Sequence, residues 1–220
     1  MRIYFQTAIL LIYLIQKLKY DEADATVIFH LSAMAVYMSS ILGAIIADSW
    51  LGKFKTILIL SCVYAIGSLT VAFGAVEQWK LPASEFTIIG LVLIALGSGG
   101  IKPCVSAFGG EQFKLPQQEN QLKKFFSIFY FVINLGSVLT TFITPIIRAQ
   151  SCFGMEECFA GGFGLPAVLM VLAIVVFTFG QRYYINISPK GNMFVEVCKC
   201  VWVNSFSFVP GLIFNSCNSL

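Results

Sequence analysis

Residues 86–108 read FTIIGLVLIALGSGGIKPCVSAF, an apolar stretch in which Lys102 is the one charged residue. The stretch can cross a bilayer, because a helix needs about 20 apolar residues to span the hydrocarbon core. A lysine at that depth costs about 3 kcal/mol on insertion scales, so it usually faces an interior cavity and has a function. The competing interpretation is a lysine near a helix end whose ammonium reaches the headgroups. Glycines and a proline surround Lys102, and we expect them to interrupt the helix at residues 97–103.

The rest of the chain has the composition of a polytopic membrane protein. Hydrophobic residues make up 58% of it and charged residues 11%, whereas soluble domains carry about 25% charged residues. The net charge of +3 gives no reason to expect nucleic acid as a partner. Apolar segments lie at about 4–16, 27–47, 56–76, 86–108, 125–147 and 161–180. The sequence predicts an all-α bundle of six transmembrane helices over residues 1–180, with a short first helix, and a cytoplasmic tail over residues 181–220.

Lysines and arginines in the loops predict the orientation, because cytoplasmic loops are richer in them. The loops after spans two and four, together with the tail, hold eight such residues, and the loops after spans one, three and five hold four. Both termini are therefore expected in the cytosol. Cys152 and Cys158 then lie in the extracellular loop between spans five and six, where a disulfide and two free thiols stand as alternatives.

His30 is the only histidine in the chain and lies near the predicted extracellular end of span two. Tyr37 lies seven positions further along, which is close to two helical turns, so both side chains belong to one helix face. A histidine there can titrate in the pH range in which transporters exchange protons. The alternative is a packed or interfacial histidine that is hydrogen-bonded to a neighbour.

The loop between spans two and three contains a spaced motif, GAIIADSWLGKFKT at residues 43–56. Gly43 and Gly52 permit close helix approach and a tight turn. Asp48, at a helix end, can pair with a cation in one conformation and release it in another. The spacing resembles the loop motif of the major facilitator superfamily, so Gly43, Asp48, Gly52 and Lys53 are predicted to act in conformational gating.

Longer blocks of sequence resemble one transporter family. They are ILGAIIADSWLGKFKT at 41–56, GGIKPCV at 99–105 followed by FGGEQF at 108–113, and FFSIFYFVINLGS at 125–137. In this order they resemble the proton-coupled oligopeptide transporter family, also called solute carrier family 15, from about residue 8 to about residue 202. The resemblance implies the N-terminal half of an animal di- and tripeptide transporter, a major facilitator fold of twelve spans with the substrate between two six-helix halves.

The resemblance also implies roles for individual residues. His30 matches a histidine implicated in proton coupling, and Tyr37 matches a tyrosine that lines the substrate cavity. Lys102 matches the lysine that faces the carboxylate of the peptide. Tyr130 and Asn134 match fifth-span residues that contact the bound peptide, and their four-residue spacing places them on one helix face.

The expected function is therefore proton-coupled symport of di- and tripeptides across a lipid bilayer, with protons as the coupling ion and no cofactor or metal. Two family features are absent. The Glu-x-x-Glu-Arg-Phe element of the first span is missing because the chain starts after it. The acidic partner of the peptide ammonium is missing from the six spans, and in the family it is a glutamate in the second half.

These absences leave several alternatives. We expect an incomplete N-terminal half, divergent after about residue 202, that needs the missing C-terminal half or a full-length transporter. A non-transporting truncated isoform that pairs with or regulates a full-length transporter is the alternative, and carriage of other small anions also suits Lys102. A membrane enzyme is excluded, because one histidine without an intramembrane acidic cluster supplies neither a nucleophile–base pair nor a metal site. The plasma membrane is favoured over the lysosomal membrane.

Overall fold

The computed structural model describes residues 10–76, 82–149 and 159–186, and the regular structure within these ranges is helical. A short helical segment, α1, covers residues 10–17 and ends in a π-helical turn at Tyr13–Lys17. The longer helices are α2 (Glu22–Ile46), α3 (Lys53–Gly74), α4 (Ala83–Gly110), α5 (Glu119–Arg148) and α6 (Phe159–Phe179). A π-helical turn at Ala47–Leu51 extends α2, and a 3-10 turn at Gly180–Tyr183 follows α6.

Five helices in the described ranges are long and apolar enough to cross a membrane. Their candidate spans are Glu22–Leu51, Lys53–Gly74, Ala83–Gly110, Glu119–Ile147 and Gly161–Tyr183. Each overlaps one of the last five predicted segments, so the prediction of an all-α membrane bundle is confirmed. The first predicted segment, residues 4–16, is described only from residue 10 onward.

Helix α4 is extensively packed: it contacts α3 and α2, and α3 also packs against α6. Glycines, which have no side chain, permit this close packing. A Cβ on Gly97 would lie 2.7 Å from Tyr64 Cβ, and a Cβ on Gly67 would lie 2.7 Å from Leu93 Cβ. Small residues at helix contacts stabilise membrane bundles, because apolar lipid leaves tight packing as a main source of helix association. Helix α5 makes its main contacts with α6.

Segment α1 packs at the end of the bundle where α2 and α4 begin. Leu14 is fully buried and clusters with Leu10 and Ala25. The Tyr13 ring meets Phe163 of α6 edge-on, with 5.3 Å between the ring centroids. The tip of α1 thereby joins the starts of α2 and α6.

The expected interruption of the helix at residues 97–103 is wrong, because α4 continues from Ala83 to Gly110. The glycines in this stretch serve packing instead of a break. A Cβ on Gly100 would lie 2.6 Å from Leu60 Cδ1 of α3, and a Cβ on Gly99 would collide with Ser39 of α2.

Pro103 is accommodated in α4 by a side chain from another helix. Proline has no N–H, so the carbonyl of Gly99, four residues earlier, loses its helical donor. Ser40 Oγ on α2 donates a hydrogen bond to Gly99 O at 3.0 Å. An unsatisfied carbonyl at membrane depth is costly, and the hydroxyl reduces that cost.

Candidate functional site

The predicted residues His30, Tyr37 and Lys102 lie on α2 and α4, which pack against each other. All three side chains are exposed on the bundle surface, and Tyr37 is 59% exposed. Within the described ranges, no ion pair or hydrogen bond is formed by Lys102 Nζ. A lysine ammonium in a membrane-spanning helix without an acidic partner in these ranges is available to an anionic ligand.

Tyr130 and Asn134 share one face of α5, as their spacing predicts, and both are exposed. Asn134 Nδ2 donates a hydrogen bond to the Tyr130 carbonyl at 2.9 Å. One amide N–H is used within the helix, so Asn134 Oδ1 and the second N–H remain for a ligand. Helix α5 packs mainly on α6, and its Phe125 also lies close to Gly109 of α4.

Gly43, the first residue of the predicted gating motif, lies where α2 crosses α4. A Cβ added to it would come 2.9 Å from Gly100 O, so glycine is required on α2 at this contact. Cys104 Sγ donates a weak hydrogen bond to the Gly43 carbonyl at 3.6 Å. The motif therefore begins at a close contact between the two helices that carry His30 and Lys102.

The second part of the motif forms an ion-pair network. Gly52 has φ 78° between the π-helical turn and α3, a conformation that favours glycine. Lys53 Nζ lies 3.4 Å from Asp48 Oδ1 and also forms a hydrogen-bonded ion pair with Glu111, the residue that follows α4. Lys53 therefore connects the end of α2 to the end of α4. The three side chains are only partly exposed, at 21% for Lys53, 24% for Glu111 and 38% for Asp48.

Comparisons with known proteins identify the family. The family model described as PTR2, POT family, matches residues 54–215. This chain belongs to the POT family. It is 53% identical over 199 residues to "Peptide transporter family 1" of Drosophila melanogaster and 46% identical over 202 residues to "Solute carrier family 15 member 2" of Homo sapiens. Each alignment covers 90% of this chain and 27% of the relative, so the chain spans about a quarter of these curated relatives.

Solved POT structures have the same arrangement of helices. The crystal structure of the POT family transporter PepTSo superposes with a TM-score of 0.75 at 35% identity, over 96% of this chain and 39% of that one. A peptide transporter POT in complex with alafosfalin gives a TM-score of 0.70 at 28% identity, over 93% of this chain and 41% of that one. These matches confirm the predicted fold class, and the POT relatives are transporters and not enzymes.

The predicted roles of single residues stay predictions, although the POT fold fixes where the residues lie. The predicted substrate residues occupy α2, α4 and α5. Of the residues predicted to act in gating, Asp48 and Lys53 belong to the ion-pair network, and Gly43 lies where α2 crosses α4. Cys152 and Cys158 lie outside the described residues, so their pairing also stays a prediction. In the described part of the chain, no group of three or more His, Cys, Asp or Glu residues could hold a metal.

Two residues that contribute to this POT half were missed by sequence reasoning. The ion pair of Glu111 with Lys53 could have been predicted, because the block FGGEQF and Lys53 fall on the same predicted side of the membrane. The contact of Ser40 could not, because nothing in a linear sequence shows that its hydroxyl reaches a carbonyl on a helix 59 residues away.

An open cavity of about 380 Å³ lies between α3, α4, α5 and α6 of the POT bundle. Its lining is mostly apolar, with hydroxyls from each of the first three helices. The lining residues are Tyr64, Ser98, Ile101, Thr140, Leu165, Pro166, Leu169 and Met170. None of the predicted substrate residues lines it, so it is separate from the exposed face that carries Lys102.

Proposed function

We propose that this chain is the peptide-binding N-terminal half of a proton-coupled symporter of di- and tripeptides. The observation that carries the proposal is Lys102: it is exposed on a membrane-spanning helix and has no acidic partner among the described residues. The peptide transporters among the relatives and solved structures support the substrate class.

The chemistry of a short peptide suits these residues. Every di- or tripeptide has a carboxylate, an ammonium and at least one amide, whereas its side chains vary. A selective site therefore fixes the termini with charges and leaves room between them. Lys102 is proposed to bind the carboxylate, while Tyr130, Asn134 and Tyr37 supply hydrogen bonds. The ammonium is proposed to meet an acidic group outside this half.

His30 is proposed to carry the coupling proton. It is exposed on α2, and its ring meets Phe29 edge-on with 5.2 Å between centroids. An imidazole changes its charge in the physiological pH range, so protonation can follow the pH difference across the membrane. His30→Gln should therefore flatten the dependence of uptake on external pH.

An uptake assay tests the proposal. The chain is co-expressed with the C-terminal part of the Drosophila relative in cells without peptide carriers, and labelled dipeptide uptake is measured at an external pH of about 6 and about 7.5. We expect saturable uptake that is greater at acid pH. Lys102→Ala should reduce uptake by about tenfold or more, because a charge-assisted hydrogen bond to the carboxylate is lost.

The matched control is Lys123→Ala, which removes an exposed lysine that pairs with Glu119 on the surface of α5. It should leave uptake unchanged. Equal uptake by wild type and Lys102→Ala at equal surface delivery would contradict the role of Lys102. Co-expression that gives no uptake despite membrane insertion of both parts would contradict the function itself.

A second candidate function is regulation of a full-length transporter by pairing. The observation that favours it is the row of exposed apolar side chains on α2. These are Leu31, Met34, Met38, Ile41 and Leu42, each between 55% and 63% exposed. Co-expression with the intact human relative separates the two functions, because a regulator lowers the maximal uptake of that relative and a missing half leaves it unchanged.

The proposed location is the plasma membrane, with both termini in the cytosol. Surface biotinylation and epitope tags at each terminus test this. Tags that antibodies reach only after permeabilisation would support the orientation, and tags reached on intact cells would contradict it.

A further inference from the structure

The chain that leaves α6 is bound back onto the end of α4 by one glutamine. Ile185 N–H donates a hydrogen bond to Gln112 Oε1 at 2.9 Å, and Gln112 Nε2 donates to Ile185 O at 3.2 Å. The same Nε2 donates to Phe108 O at 3.2 Å, within the last turn of α4. One side-chain amide thus binds both backbone polar groups of a residue 73 positions away, in the reciprocal pattern of a strand pair.

An aromatic cluster holds the residue next to Ile185. After the 3-10 turn at Gly180–Tyr183, Tyr184 packs among Phe54 of α3, Phe108 of α4 and Phe177 of α6. The Tyr184 ring centroid lies 6.2 Å from that of Phe54 and 5.3 Å from each of the other two. Ring pairs at these separations contribute beyond the area that they bury.

Gly180 leaves the space that this cluster needs. A Cβ on Gly180 would lie 2.7 Å from Tyr184 Cζ. The turn after α6 is therefore shaped so that the tyrosine ring folds back over the helix end from which it comes.

Two consecutive residues at the end of α4 hold different parts of the chain. Glu111 pairs with Lys53 at the start of α3, while Gln112 binds Ile185 after α6. The ends of α3, α4 and α6 are therefore joined by one ion pair, one reciprocal amide contact and one aromatic cluster.

We propose that Gln112 is a positioning residue whose amide, together with Tyr184, clasps the chain leaving α6 to the end of α4. We call residues 180–186 with Gln112 the α6 clasp. The clasp makes the ends of α3, α4 and α6 move as one body. It must open before this segment can be pulled away from α4.

The first test uses the wild-type chain in lipid nanodiscs and does not depend on transport. Hydrogen exchange at the Ile185 amide is measured at single-residue resolution. The clasp predicts exchange at least about tenfold slower than in an unstructured chain, because the donor is paired with Gln112 Oε1. Exchange at the unstructured rate would overturn the proposal without any substitution.

The second test uses Gln112→Met, which keeps the side-chain length and removes all its hydrogen bonds. Cleavage by trypsin between Arg182 and Tyr183 is followed by mass spectrometry, because Arg182 is exposed and the protease needs the segment to detach. When opening and closing are fast, the cleavage rate is proportional to the fraction of molecules in which the segment is detached from α4. The loss of two hydrogen bonds to Ile185 should accelerate cleavage about tenfold.

The matched control is Gln121→Met, at an exposed glutamine on α5, which should cleave at the wild-type rate. Exchange of core amides in α3 and α4 is measured in the same samples. If the clasp is local, the Ile185 amide should exchange faster in Gln112→Met than in the wild-type chain, whereas the core amides of α3 and α4 should exchange at unchanged rates. Unchanged cleavage in Gln112→Met, or an equal rise in exchange throughout the bundle, would overturn the proposal.

Discussion

Ser40 supports α4 at the turn that precedes Pro103. Its hydroxyl donates to Gly99 O at 3.0 Å and replaces the backbone donor that Pro103 lacks. The same hydroxyl, which has a single proton, also lies 2.9 Å from Val36 O of its own helix, so the two carbonyls share one donor. One small side chain on α2 therefore supports the neighbouring helix, α4, which contains Lys102.

Ser40→Ala should destabilise the bundle by about 1 kcal/mol, because it leaves a carbonyl at membrane depth without a donor. The measurement is thermal unfolding of the detergent-solubilised chain. Ser32→Ala is the matched control, because Ser32 Oγ donates only to Phe29 O of its own helix, at 2.7 Å. Equal losses of thermal stability in the two variants would show that the hydrogen bond between the helices contributes nothing to stability.

At the scale of helices, the crossing of α2 and α4 is set by Gly43 and Gly100. Gly43→Ala should destabilise this crossing by about 1–3 kcal/mol, because its Cβ would press on the backbone of Gly100 and the helices would have to separate. Thermal unfolding is again the measurement.

Gly136→Ala is the control for that substitution, because nothing lies within 4 Å of a Cβ at this position of α5. In a helix interior, alanine replaces glycine with a gain of about 1 kcal/mol. The two substitutions should therefore shift the melting temperature in opposite directions. A shift of the same sign in both would contradict the assigned packing.

The contact between the ends of α3 and α4 depends on charge. Lys53→Glu should destabilise it by about 1 kcal/mol, because the new carboxylate would face Glu111 and Asp48. Adding Glu111→Lys to the same chain should recover part of that loss, which a double-mutant cycle measures. Strict additivity of the two substitutions would show that the pair does not interact.

For the whole molecule, the sequence predicted the helices well because apolar segments of bilayer length have few other interpretations. The predicted ends of the helices were less accurate. Helix α5 begins at Glu119, several residues before the apolar segment at 125, because polar residues form its first turn. The wrong expectation at residues 97–103 has a similar origin: glycine and proline break helices in isolation, and only the packed neighbours of α4 remove that tendency.

The candidate site was predictable to a lesser degree. The shared helix face of Tyr130 and Asn134 follows from spacing alone. The ion pair of Lys53 with Glu111 and the binding of Ile185 by Gln112 join residues 58 and 73 positions apart. Such contacts are fixed by the arrangement of helices, so a single sequence contains no local pattern for them.

The Ser40 contact has a consequence for biosynthesis. Translation proceeds from the N-terminus, so α2 leaves the ribosome before α4. When the proline-containing helix emerges into the bilayer, the hydroxyl that completes its backbone is already in the membrane. Pairing with α2 can then accompany insertion of α4, and the open carbonyl beside Pro103 need not wait in lipid for the later helices.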